Sequence, residues 1–139
     1  MRRTFGLPLL TLAVAFGITV LANEKPPAEL QETMKSNAAT NAALRMHIMA
    51  KDYDAVATDA TTLKGNFGKI EKFFTEKKWQ DAIDIAKAGG KAAGDLVTAA
   101  KAKDDAAVAA AQMAMAPNCG ACHMKHREQL PDKTFEIKP

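Results

Sequence analysis

Two thiols and an imidazole fall within five residues near the end of this chain, in the stretch Asn118-Cys119-Gly120-Ala121-Cys122-His123. These are the only two cysteines of the 139 residues. Cys119 and Cys122 are three apart, so on a helix they share one face, with His123 next to them. C-x-x-C-H is the spacing that attaches haem. Each thiol adds across one porphyrin vinyl group, and one helical turn supplies the separation of the two vinyls. The residue that follows can then offer its imidazole to the iron. Other chemistries use the same side chains. Zinc could draw on Cys119, Cys122, His123 and His126, but structural zinc sites usually take ligand pairs from separated segments. A redox dithiol expects a strand-to-helix context, which is absent. A disulfide between residues three apart would close almost no loop.

A second ligand for such an iron would have to come from another helix at matching depth. His123 lies about 10 Å from the expected end of the last helix, counting 1.5 Å per residue. Met34 lies about 9 Å from the start of the first helix, on the same stripe as Leu30 and Ala38. His47, Met46 and Met49 are near the far end of that helix, and His126, Met124, Met113 and Met115 belong to the attachment helix itself. Met34 is therefore the candidate distal ligand, and Met115 a candidate pocket residue. With Met34 on the iron, the site is six-coordinate and suited to electron transfer. With Met34 off it, the iron is five-coordinate and can take a small gas such as nitric oxide. A methionine on an apolar helical face is also ordinary core material.

Four helical segments could position these groups. The first runs from about Ala28, after Pro26-Pro27, to Ala50. The second carries Val56, Ala60, Leu63, Phe67, Ile70 and Phe74 in steps of three and four, and ends in Glu76-Lys77-Lys78. The third starts near Trp79 and carries Ile83, Ala86, Ala93, Leu96 and Ala100. Its Gly89, Gly90 and Gly94 point to a close helix crossing. The fourth runs from about Asp105 toward Leu130, with a kink or restart expected at Pro117. No strand is expected, and the tail beyond Pro131 either folds over a cofactor edge through Phe135 and Ile137 or frays. Short connections make neighbours antiparallel, so the expected architecture is an all-α, up-down-up-down four-helix bundle. The aromatic side chains Phe67, Phe73, Phe74 and Trp79 gather at the end where the C-x-x-C-H turn would lie. Phe74 and Trp79 are thus candidate pocket walls.

The N-terminus has the pattern of an export leader: Arg2-Arg3, an apolar run from Phe5 to Leu21, and Val20-Leu21-Ala22 before a cleavage point. The alternative is an uncleaved membrane anchor, for which the apolar run is marginal in length. The expected organisation is a signal peptide over residues 1–22 and one domain over residues 23–139, of a size to hold a single core. Loss of Arg2 and Arg3 with the leader reduces the formal charge of +3. No basic stripe with interleaved aromatics suggests a nucleic-acid partner. No later segment is apolar enough for stable membrane insertion. Export places the protein in the periplasm, where a pair of cysteines committed to haem leaves no thiol over.

A terminal C-x-x-C-H on the last of four helices, with Arg127 four residues beyond the histidine, resembles the class II c-type cytochromes, the superfamily of cytochrome c-prime. The resemblance covers residues 28–130, and Met34-Lys35-Ser36-Asn37 is similar to the Met-Lys-x-Asn stretch of its low-spin branch. It implies one covalent haem c on Cys119 and Cys122, His123 as proximal ligand, Met34 as distal ligand, and Arg127 beside the proximal histidine. It also implies an electron carrier with a redox partner protein, not an enzyme, and a fold that often forms homodimers. This chain departs from the family pattern at His126, where an aromatic is usual, at Pro117, in its longer tail, and at Leu30, where an arginine is common. Lys35 is the remaining candidate partner for the propionates.

Overall fold

The computed structural model describes residues 23–139. The expected signal peptide, residues 1–22, lies outside the described residues. Four helices follow one another: α1 (Ala28–Ala50), α2 (Tyr53–Lys77), α3 (Gln80–Lys101) and α4 (Asp105–His126). Among the described residues no helix is long and apolar enough to cross a membrane.

Local chemistry sets the helix ends. The Asp52 and Asp104 side chains accept hydrogen bonds from the Ala55 and Ala107 amides, capping α2 and α4. Such caps are worth about 1 kcal/mol each. The α1 and α2 C-termini close through Lys51 and Lys78, both left-handed, at φ 55° and 61°. Their amides, and those of Asp52 and Trp79, return to carbonyls of the last turn. This satisfies groups that the helix leaves unpaired. Two-residue turns join α1 to α2 and α2 to α3, and three residues join α3 to α4, so successive helices run antiparallel.

All six stepped residues of α2 are buried. They pack with Ile83, Ala86, Ala93 and Leu96 of α3 and with Val108, Ala111 and Met115 of α4. At Gly89 α3 comes close to α2: the Phe67 ring packs against it, and a Cβ added there would fall 2.3 Å from a ring carbon. Close packing runs α1 on α2, α2 on α3 and α3 on α4, but no comparable packing joins α4 back to α1.

Two expectations differ from the structure and a third is narrowed. Of the kink or restart expected at Pro117, the restart is absent, because α4 runs through that residue as one helix. The Asn118 side-chain amide donates to the Ala114 and Met115 carbonyls there, supplying polar partners next to the missing proline N–H. The same helix stops at His126, not near Leu130, because Arg127 is already extended at φ −124° and ψ 132°. Strands are present after all: β1 (Arg127–Gln129) pairs antiparallel with β2 (Phe135–Ile137). Asp132 holds the turn between them by accepting from the Thr134 amide and hydroxyl. Glu24 bridges to the other side of Ile137 through two backbone bonds of 2.9 and 2.7 Å. The tail is therefore a folded element against the bundle.

Candidate functional site

The seam between α1 and α4 holds two adjoining cavities of about 360 and 150 Å3. Met34, Ala38, Cys122 and His123 line both. The larger also has Leu30, Phe74, His126, Arg127, Phe135 and Ile137 in its wall. The smaller adds Cys119, Phe67, Ile70, Ile85 and Ala86, with the amides of Asn37, Asn41 and Asn118. Residues 34 and 123, far apart in sequence, thus meet at one apolar-walled space.

The other expected pocket residues have different places. Met115 is buried in the core and Trp79 is half-buried, and neither lines these two cavities. Trp79 stacks on His126, ring centres 5.3 Å apart, and on Phe74 at 5.6 Å. It stands behind the wall that Phe74 and His126 present. Arg127 and Lys35 lie at the rim with exposed side chains, and Arg127 stacks over the Phe135 ring at 4.5 Å.

His126 has its own partners. Its Nδ1 lies 3.1 Å from the Lys138 carbonyl, so that nitrogen carries a proton, and its Nε2 faces the Asp81 carboxylate at 3.3 Å. Its own carbonyl accepts from the Lys138 amide. It is the anchor of the tail, a role its position in the sequence did not suggest. Among the described residues no three His, Cys, Asp or Glu side chains converge as a group that could hold a metal ion, so the zinc alternative has no ligand cluster.

Electrostatics separate the remaining alternatives. Burial raises the Cys119 thiol above its ordinary value. Burial, helped by Cys119 and the Asp81 carboxylate, pushes Cys122 up to about 11. Both sulfurs therefore stay protonated near neutral pH, whereas a redox dithiol needs a lowered thiol. Burial, then the Arg127 guanidinium, lowers His123 below the usual histidine value. Its imidazole is neutral at pH 7, the form that coordinates iron. In chain prepared without attached haem, Cys122 should react with iodoacetamide at pH 8 on the order of a hundredfold more slowly than an ordinary thiol, because thiolate is the nucleophile. The rate should climb until about pH 11. A plateau reached by pH 8 would contradict this.

The tail is the part of the site that sequence reasoning located only loosely. Phe135 and Ile137 alternate across Glu136, after Pro131-Asp132, a turn-forming pair. That pattern is the available signal for a short hairpin. Asn37, Asn41 and Asn118 gave no signal as wall residues, because their position depends on how the helices are rotated.

A haem fits this donor set. Two thiols and a neutral imidazole from one turn of α4 face a thioether from α1 across a space walled by Leu30, Phe67, Ile70 and Phe74, with cationic side chains at the rim. Compared with family models, curated proteins and solved structures, the chain matches none.

Proposed function

We propose that this protein is an exported, periplasmic monohaem c-type cytochrome of the class II kind, which carries single electrons to a redox partner protein and is not an enzyme. The observation that carries the reading is the meeting of Met34 with Cys122 and His123 at one cavity in the α1–α4 seam. Bound there, haem c would supply a one-electron iron couple.

The chain's own residues would do the rest. Cys119 and Cys122 would hold the porphyrin through thioether bonds, one from each sulfur. His123, kept neutral by burial and by Arg127, would present a free nitrogen lone pair as proximal ligand. Met34 would offer its thioether as the second iron ligand, which would raise the reduction potential and leave no open coordination position. The walls formed by Leu30, Phe67, Ile70 and Phe74 would keep water out and discourage the ferric charge. Lys35 and Arg127 would offer positive charge to the propionates at the rim. The folded tail, through Phe135 and Ile137, would close one edge.

Mass spectrometry decides the matter. Chain made in an export-competent host that attaches haem should gain the mass of one haem and lose residues 1–22. A Cys119→Ala, Cys122→Ala variant should show the bare polypeptide. If the wild-type chain emerges with both thiols unmodified, the reading fails.

A further inference from the structure

Helix α1 is held to the bundle in an unusual way. Among the described residues its close packing is on α2, and the cavities lie in the seam toward α4. Between Leu30 and Leu44, a span of four turns, its buried residues are Thr33 and Asn37, both polar. Thr33 spends its hydroxyl on its own helix, donating to the Glu29 carbonyl at 2.8 Å. Asn37 instead reaches across. Its Oδ1 accepts from Asn66 Nδ2 of α2 at 2.9 Å, and the same nitrogen donates to Ser36 Oγ at 2.9 Å. Both hydrogens of one buried amide are therefore spent on a single turn of α1.

That turn carries Met34, three residues before Asn37 and on the same side of the helix. Apolar contacts tolerate sliding and rotation, whereas a buried amide with both donors committed has one orientation. Turning α1 by 30° would move a side-chain tip about 3 Å, given the helix radius and side-chain reach. A displacement of that size separates a bound thioether from a free one. We infer that Asn66 is a positioning residue: by clamping Ser36 and Asn37 it fixes the rotation and depth of α1, and so holds the Met34 sulfur at the distal face of the iron. This rests on the haem reading of the site.

The test compares wild type with Asn66→Leu, which keeps the branched outline of the side chain and removes the donors, and with Ser36→Ala, which removes one bond and leaves the packing. Two readouts are taken: the spin state of the attached haem, with its binding of carbon monoxide, and hydrogen exchange of α1 amides 34–38 in chain without haem. In Asn66→Leu the haem should still be attached, but the high-spin, carbon monoxide-binding fraction should rise at least about tenfold. The α1 amides should exchange about ten to a hundred times faster, with α3 amides unchanged. Ser36→Ala should fall between the two and keeps the test readable if Asn66→Leu does not fold. Wild type that is low-spin beside an equally low-spin Asn66→Leu, with unchanged exchange, overturns the positioning role alone. Wild type without haem overturns the functional reading and the Met34 role together.

Discussion

On the proposed haem reading, Met34→Ala is expected to leave the haem covalently attached and to convert the iron from low to high spin. The far-red band of methionine-bound ferric haem should vanish, and carbon monoxide should bind where it did not before. The reduction potential should fall by on the order of 100 mV, since the axial ligand is a principal control of potential. The reason is local. Met34 belongs to both cavities and faces the wall that carries His123. The polar groups that line the smaller cavity on the same helix, Asn37 and Asn41, are committed or short: the Asn41 amide donates to the Asn37 carbonyl at 2.9 Å. No other methionine or histidine of α1 lines either cavity, so nothing replaces the thioether. Absorption spectra of the two proteins decide between the two distal states. If wild type is already high-spin and the substitution changes nothing, Met34 is off the iron and the gas-binding alternative takes its place.

Gly89→Ala should destabilise the fold although alanine is the better helix former. The propensity gain is about 1 kcal/mol. Against it stands a Cβ placed 2.3 to 2.8 Å from three carbons of the Phe67 ring, and that ring is itself buried. Overpacking of this kind costs about 1–3 kcal/mol before any gain is subtracted, and more when neighbours cannot give. The smaller cavity is the space beside the ring into which it can yield, and on the proposed reading that would take room from a haem. The expected result is a midpoint of thermal unfolding lowered by about 5–10 °C, together with reduced haem attachment. Gly65→Ala and Gly68→Ala are the matched controls. Both sites are exposed with nothing within 4 Å of an added Cβ, so each should gain stability. A Gly89→Ala protein as stable as these controls would refute the close-crossing account.

Apolar spacing made α2 and α3 legible from the sequence, because their burial follows hydrophobic side chains step by step. The boundaries expected for α1, Ala28 after Pro26-Pro27 and Ala50, match the structure, but its buried face was only half visible. Ala38 is exposed, while Thr33 and Asn37 are buried. Polar side chains can occupy a core position when their hydrogen bonds are supplied, and the partner, Asn66, is 29 residues away. No local pattern encodes that. The end of α4 was misplaced for a similar reason. Nothing in Arg127-Glu128-Gln129 resists a helix, and what makes it a strand is pairing with residues 135–137 and the hold of Lys138 on His126. The site itself was legible as a list of donors. Its walls were legible only in part: Phe74 lines the larger cavity, whereas Met115 and Trp79 line neither.

The unpacked seam between the first and last helices has a consequence for how the chain assembles. Neighbouring helices joined by two or three residues find each other quickly, but the seam depends on the contacts most distant in sequence, which form at the greatest loop-closure cost. Helices α2, α3 and α4 hold most of the apolar core and can collapse first, leaving α1 hinged at Lys51-Asp52 like a door not yet shut. On the proposed reading, the C-x-x-C-H turn would then be reachable for haem attachment at the moment it is needed. A porphyrin, once in place, would become the surface on which that door closes.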